Sequence, residues 1–505
     1  MEAHPNTGPF ARISRWLPAA AISTLAAPTL VLAYLPMTDL PQHLAVVSMW
    51  LHMDDPRFGF EAFYELAPGR TLYFVPYAIA LALCRIMPLA LAMHVVVFLS
   101  VIAYPLGVLA VLRATGRAGV LALLAVPLMY NRAFFWGFVN FNLALGMALY
   151  AVALLERPVR SVRARLGLGV LCIAISLTHA YGIAIVAGYV GVGLIFGDRG
   201  KLARNLLPLA PLGVGTAAWL AAGRDAVGRG KLSFDSLTER FLAFEDATLG
   251  GYPDWTDESL LVLMVATVAC FCARRLPWTA DRWRALDSLE RTALLYSTLN
   301  FALYWVLPTH TESALFLHFR HALLAVALLP LLATDGLLRA NPRAGAALLG
   351  LLAVATAAVH WTHLVRFDRE ARPFDAVLAE LPEQPKLHFL CWDRAGDVIQ
   401  TNPYHHFHAY VLAQRGGVTS FSFPEMFWNI PVTLREEAGV PRLPLDVEWH
   451  PELFDDEAIG GFYDWVLVRN AGDGSRGVDT LPRFSYELVF ADPPWELYRR
   501  RAEGD

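Results

Sequence analysis

The chain has 505 residues, of which 56% are hydrophobic and only 17% charged, and its mean hydropathy is +0.42. This composition excludes a soluble enzyme and predicts a membrane protein with many spanning helices. The net charge is −4, so the chain lacks the basic surface that nucleic-acid binding requires, and no nucleic-acid partner is expected. The five cysteines form no zinc or disulfide pattern.

The apolar segments predict about eleven membrane spans, because a spanning helix needs about 20 mostly apolar residues. The first span follows Arg12 and Arg15 and is interpreted as an uncleaved helix rather than a signal peptide. The predicted spans are 17–36, 89–112, 118–130, 138–155, 165–180, 181–197, 203–222, 258–273, 291–307, 317–335 and 344–363. A shorter apolar segment, 71–86, contains Pro76 and is expected to form a juxtamembrane or re-entrant helix.

Arginine-rich loops predict the orientation, because cytoplasmic loops retain Arg and Lys. Placing these loops inside puts the N-terminus in the cytoplasm and the C-terminal region in the periplasm. Nearly all basic residues are Arg, a bias suggestive of a GC-rich bacterial genome, so the bacterial inner membrane is the expected location. The loops that carry this argument contain Arg113 and Arg117, Arg157 to Arg165, Arg199 to Arg204, Arg274 to Arg284, and Arg339 with Arg343.

The last 140 residues differ from the rest of the chain. Short hydrophobic runs bounded by turns predict strands, and they alternate with short helical segments, which is typical of a small α/β domain. The predicted strands are Lys386–Trp392, Trp465–Val468, Tyr486–Phe490 and Trp495–Tyr498. The chain is therefore expected to comprise a helical membrane domain, 1–363, with a first outer loop at 37–88, and a periplasmic α/β domain, 364–505.

The most informative polar pattern lies directly after the first span. Asp39 and His43 are one helical turn apart, and a carboxylate at the membrane surface is costly unless it is solvated, paired or used. The alternative is that Asp39 caps the helix beginning near Pro41 while His43 sits at the interface.

The arrangement of these segments resembles the GT-C superfamily of membrane glycosyltransferases. The resemblance is carried by the early Asp39 motif after the first span, by the aromatic and proline-containing stretch 70–76, by a second outer loop at 131–142, and by the C-terminal stretches 463–468 and 495–499. It implies a GT-C-like helical fold and a polyprenyl-phosphate-linked sugar as donor. The second loop has Asn140 where related enzymes often have an acid, so no cofactor is expected and a divalent metal is not supported.

The resemblance implies a role for each candidate residue. Asp39 is expected to act as general base on the acceptor hydroxyl, with His43 orienting it. Arg320 and Arg132 are candidates for binding the carrier phosphate, since guanidinium groups pair with phosphate oxygens in a bidentate manner. Snorkelling to lipid headgroups is the alternative for both arginines.

Further polar residues lie on the predicted outer face. The candidates for substrate contacts are His179, Asn140 and His310, although a lone histidine such as His179 is more often a hydrogen-bonded structural residue. The tract around His405, His406 and His408 resembles a metal site. Its spacing does not place all three rings on one helix face, so it supplies at most one or two ligands or an acceptor contact.

The sequence thus predicts a membrane glycosyltransferase that moves a sugar from a polyprenyl-phosphate carrier to a glycan, lipid or protein acceptor on the periplasmic side. Membrane lipids are its other expected partners. One alternative is a catalytically silent GT-C-like protein that serves envelope assembly. A lipid or solute transporter is disfavoured, because it would place ionisable groups near the bilayer midplane, whereas the polar groups here concentrate at one face.

Overall fold

The computed structural model describes residues 9–157, 161–197, 200, 206–222, 232–272, 280–311, 314–427, 429–457, 461–470 and 485–501. The chain divides into two compact units. We call one the helical unit, which comprises Met1–Val31, Val96–Phe134 and Phe138–Thr362. We call the other the mixed unit, which comprises Leu32–Val95, Phe135–Gly137 and His363–Asp505.

Among the described residues, the helical unit consists mainly of apolar helices. Helices in the described part of this unit are Pro9–Leu25, Pro28–Val31, Val139–Leu155, Val162–Ser176, Ala180–Phe196, Ala210–Ala222, Leu237–Leu242, Thr256–Cys272, Ala280–Ala285, Ser288–Val306, Leu317–Ala327 and Gly336–Ala340. The predicted span 118–130 is a 3₁₀ helix, Gly119–Tyr130, and further 3₁₀ turns are Leu207–Leu209 and Leu329–Leu332. Two antiparallel strands of two residues each, β2 (His310–Thr311) and β3 (Ala314–Leu315), pair with each other.

Three helices cross the boundary between the units: Leu89–Ala114, Arg132–Phe135 and Pro342–Ala371. Three apolar segments are long enough to cross a membrane, namely Leu89–Ala114, Leu317–Ala340 and Pro342–Glu380. Six shorter apolar helices accompany them in the described part of the chain, and the 71–86 segment contains one of these, the ten-residue helix Phe74–Leu83. The number of spans stays a prediction.

The mixed unit combines short helices with two sheets. Its helices are Leu40–His52, Phe74–Leu83, Phe374–Glu380, Ala409–Arg415, Phe423–Met426 and Leu445–Trp449, and its 3₁₀ turns are Phe60–Ala62, Pro68–Arg70, Glu436–Ala438 and Pro451–Leu453. A small antiparallel ribbon pairs β1 (Tyr64–Leu66) with β6 (Val432–Leu434). The predicted C-terminal α/β character is present as a five-stranded sheet.

This sheet has the strand order β5-β4-β7-β9-β8. The strands are β4 (Lys386–Cys391), β5 (Val418–Thr419), β7 (Trp465–Arg469), β8 (Tyr486–Asp492) and β9 (Trp495–Arg500). β4 lies parallel to both β5 and β7, whereas β9 is antiparallel to its two neighbours. The β4–β5 crossover contains the helix Ala409–Arg415, as parallel pairing requires a long connection. Apolar side chains of β4, β7 and β9 form a buried core with Phe421 and Tyr463.

The first loop is joined to the C-terminal sequence inside the mixed unit. The helix Leu40–His52 packs against Ala409–Arg415, and Ser48 Oγ donates to the carbonyl of Ala413 at 2.7 Å. The Gln42 amide donates to the carbonyl of Phe421 at 2.8 Å and accepts from the backbone N–H of Phe423 at 3.0 Å. Buried polar groups cost free energy unless they are paired, so these bonds specify one register between two distant segments.

Candidate active site

Asp39 lies at the start of the helix Leu40–His52. Its backbone N–H donates to the carbonyl of Trp136 at 3.2 Å, so the 135–137 segment supports the turn that carries it. Asp39 occupies the N-cap position, but its carboxylate contacts His406 rather than the amides of the helix's described first turn. The side chain therefore has a different partner from the one that the capping alternative requires.

Asp39, His406 and Glu448 form a line of three ionisable side chains in the mixed unit. Nδ1 of His406 lies 3.0 Å from Oδ1 of Asp39, and Nε2 of the same ring lies 3.1 Å from Oε1 of Glu448. The neighbouring His405 contacts the same carboxylate, with its Nε2 3.5 Å from the same Glu448 oxygen. All four side chains are largely buried. A single imidazole thus connects two carboxylates, and we call these three residues the carboxylate–histidine trio.

The charges of the trio follow from its contacts. Burial by itself lowers the pKa of His406, but the contacts with Asp39 and Glu448 outweigh it and raise the pKa to about 10. Burial raises the pKa of Glu448, but His405 and His406 hold it well below the ordinary range. Near neutral pH the trio therefore contains an imidazolium that interacts with a buried carboxylate.

His43 lies one turn after Asp39, as predicted, but its ring has other partners. Its Nδ1 lies 2.8 Å from the Tyr77 hydroxyl, and its ring meets Phe423 edge to face at 5.4 Å. Burial lowers the pKa of His43, so this ring is neutral near pH 7. His43 and Tyr77 are therefore two uncharged side chains next to the charged trio.

Gly137 permits the close approach that positions Asp39. Its φ is +84°, a conformation that favours glycine, and a Cβ at this residue would lie 2.7 Å from the backbone nitrogen of Asp39. Gly137→Ala is therefore expected to displace the Asp39 turn and to cost about 1–2 kcal/mol of backbone strain. The measurement is the unfolding temperature of the purified protein together with its activity, and both should fall.

Gly69→Ala is the matched control. Gly69 lies in the same unit, and a Cβ there meets nothing within 4 Å. The control variant should unfold at the same temperature as the unmodified protein. Equal stability and activity of the Gly137 and Gly69 variants would contradict a positioning role for Gly137.

The two candidate arginines both lie in the helical unit, and they differ in their contacts. Arg132 donates through Nη1 to the carbonyl of Gly250 at 2.5 Å, and its guanidinium lies 5.5 Å from the ring of Phe319. The Arg320 guanidinium lies 5.0 Å and 5.2 Å from the rings of Phe138 and Tyr181. Cation–π contacts with these two rings hold the Arg320 guanidinium in place.

The other predicted residues of the helical unit are His179, Asn140 and His310. His179 is the N-cap of Ala180–Phe196 and accepts from the backbone N–H of Tyr181 at 3.0 Å, as in the structural alternative. Asn140 is buried near the start of Val139–Leu155. His310 begins β2, and its side chain lies outside the described residues. That these residues share one outer face with Asp39 stays a prediction.

His406 and Glu448 are the site residues that sequence reasoning underrated or missed. His406 was recognised only as part of a histidine tract, and Glu448 belongs to no motif. Their sequence separation is 42 residues, and the segments between them include β5 and β6. The helix Leu445–Trp449, which carries Glu448, packs beside β4.

Two groups of acidic and histidine side chains have ligand atoms within 4.8 Å of one another among the described residues. One is His405, His406 and Glu448; the other is Glu245, Asp257 and Glu258 in the helical unit. In the first group both ring nitrogens of His406 contact carboxylates, and an imidazolium has no lone pair for a metal.

Comparison with known proteins identifies the fold. No protein-family model and no curated protein matches this sequence. The crystal structure of ArnT from Cupriavidus metallidurans in the apo state matches over 97% of this chain and 98% of its own, with a TM-score of 0.54 and 13% identity. The structure of the same protein bound to undecaprenyl phosphate matches over 98% and 99%, with a TM-score of 0.52 and 13% identity. The predicted resemblance to GT-C glycosyltransferases is confirmed at the level of the fold: this chain has the fold of ArnT, a GT-C glycosyltransferase.

Proposed function

We propose that this chain is a bacterial inner-membrane glycosyltransferase that transfers a sugar from a polyprenyl-phosphate carrier to an acceptor on the periplasmic side. The observation that carries the proposal is the buried carboxylate–histidine trio in a chain with the ArnT fold. A structural neighbour that binds undecaprenyl phosphate supports a polyprenyl phosphate as the carrier.

The proposed mechanism assigns one step to each group. Asp39 removes the proton from the acceptor hydroxyl as its oxygen attacks the anomeric carbon, and the bond from that carbon to the carrier phosphate breaks. His406 holds one Asp39 oxygen through Nδ1, so that the other carboxylate oxygen is available for the acceptor proton. Glu448 fixes the His406 ring from the opposite side. Arg320 is the proposed ligand of the departing phosphate, since guanidinium stabilises its developing charge.

The test is transfer by the purified full-length chain in detergent. The donors are polyprenyl-phosphate-linked pentoses and hexoses with a labelled sugar, and the readouts are free polyprenyl phosphate and label on the acceptor. Acceptor-dependent release of the carrier is the expected result. Movement of intact donor across a vesicle bilayer without release would indicate a transporter instead, and no release from any donor would favour a silent assembly protein.

A metal-independent mechanism makes a separate prediction. Because the His406 nitrogens are both engaged by carboxylates, treatment with EDTA is expected to leave the transfer rate unchanged. The control is the same protein after dialysis without chelator. A rate that falls with EDTA and returns with a divalent cation would contradict this prediction while leaving the transferase proposal intact.

A further inference from the structure

A cleft of about 250 Å³ lies in the mixed unit beside the segment 423–427. Its lining residues include Arg70, Arg442, Glu425, Met426 and Phe427. The volume is below the range of about 300–1,000 Å³ typical of sites for drug-sized ligands, so it suits a group the size of one ring. Two cations and one acid give the cleft an excess of positive charge.

The cleft is built on ordered secondary structure. The β1–β6 ribbon pairs Leu66 with Val432, and four residues after Leu66 the Nη1 of Arg70 donates to Thr433 Oγ1 at 2.6 Å. This bond fixes the Arg70 guanidinium on the ribbon and leaves further N–H donors for a ligand, because the group carries five. Arg442 precedes the helix Leu445–Trp449 that carries Glu448. The segment 442–449 thus contributes Arg442 to the cleft and Glu448 to the trio.

Phe427 and Glu425 add two different recognition elements. Phe427 is 41% exposed and packs edge to face on Phe423 at 4.9 Å. The Oε2 atom of Glu425 is buried and has no hydrogen-bond partner among the described residues. Burial raises the pKa of Glu425 to about 7.

These elements are complementary to an acidic sugar. A pyranose ring presents a C–H face that packs on an aromatic ring, hydroxyl groups that a carboxyl group binds, and, in a uronic acid, a carboxylate that pairs with guanidinium. A free phosphate would leave Phe427 and Met426 without a role, and a neutral sugar would leave the positive charge without one.

The cleft also adjoins the trio. The ring of Phe423, two residues before Glu425, lies 5.7 Å from the His406 ring and 5.4 Å from the His43 ring. Phe423 in turn packs on Phe427 of the cleft, so these two aromatic side chains connect the cleft to the His406 ring.

We propose that the cleft lined by Arg70, Arg442, Glu425 and Phe427 binds an acidic monosaccharide unit of the glycan acceptor. The proposal rests on the proposed function for its biological role, but the binding itself requires neither donor nor turnover.

The experiment is ligand-observed saturation-transfer NMR with the full chain in detergent. The three probes are D-glucuronate, methyl-D-glucoside and inorganic phosphate. Glucuronate is expected to bind most tightly. Arg442→Ala should lower the affinity for glucuronate about 10-fold or more, the expected loss for one charge-assisted hydrogen bond. Phe427→Ala should lower the affinity for both sugars but leave the affinity for phosphate unchanged.

Arg57→Ala is the matched control, because Arg57 is an exposed arginine of the same unit that lies outside the cleft and pairs with Asp55. It should bind glucuronate like the unmodified protein. Equal binding of glucoside and glucuronate, phosphate binding as tight as glucuronate, or an equal effect of the Arg57 and Arg442 variants would overturn the proposal. Glucuronate binding without sugar transfer would overturn the proposed function alone.

Discussion

Replacing Asp39 with Asn is expected to lower the transfer rate by about 10²–10⁴-fold, the contribution typical of a general base. The amide has nearly the same shape as the carboxylate but does not accept a proton from the acceptor hydroxyl. The affinity for the donor should change little, since the variant alters the acceptor's proton transfer rather than the carrier phosphate. Initial rates at saturating donor measure the first effect, and the donor dependence of the rate measures the second.

Asp54→Asn is the matched control, because Asp54 is an exposed acid of the same unit near the end of the same helix. The Asp54 variant should retain the full rate. A folded Asp39→Asn protein with an unchanged rate would exclude general-base catalysis by Asp39. If the cell-envelope glycans were also unchanged, the silent assembly protein would become the better interpretation.

Removing His406 is expected to have the largest effect on stability. His406→Ala leaves the buried carboxylates of Asp39 and Glu448 without their shared cation, and breaking a buried charge pair in this way costs about 3–5 kcal/mol. The unfolding temperature of the purified variant in detergent should therefore fall clearly below that of the unmodified protein. His450→Ala is the control, since His450 is an exposed histidine that pairs with Glu452, and its loss should change stability little.

The same residue predicts how stability depends on pH. His406 has its pKa raised from 6.5 to about 10 in the folded state, so its contribution is complete below pH 6.5 and is lost as the pH rises through 10. Glu448 has its pKa lowered from 4.5, so its contribution is complete above pH 4.5 and is lost as the pH falls further. The unmodified protein should lose stability between pH 6.5 and 10.

The His406→Ala variant should show a flatter alkaline limb over the same range. Unfolding temperatures recorded at intervals from pH 5 to pH 10 in one detergent provide the comparison. If both proteins lost stability equally on the alkaline side, the loss would have another origin and His406 would not carry the charge assigned to it.

Local patterns in the sequence predicted the elements that depend on local physics. The hydrophobic runs at Lys386, Trp465, Tyr486 and Trp495 each begin an observed strand, since β-branched and aromatic residues favour a half-buried pleated surface. These features require only the neighbouring residues.

Features that depend on distant segments were not predictable. The 3₁₀ geometry of Gly119–Tyr130 was not expected, because an apolar run of this length predicts an α-helix. The partner of Asp39 lies 367 positions later in the chain, at His406, and periodicity contains no information about such a pairing. The structure of a site assembled across the fold is determined by tertiary packing, of which the β1–β6 ribbon is an example.

That ribbon and the Gln42 amide bonds have a consequence for protein engineering. Because the first loop and the C-terminal sequence share one hydrogen-bonded core, neither can be exchanged alone for the corresponding part of a related protein. A chimera that takes its loop from one parent and its tail from another would carry mismatched halves of one site. The loop and the tail of a chimera would have to be chosen as a compatible pair, so the choice of one segment constrains the choice of the other.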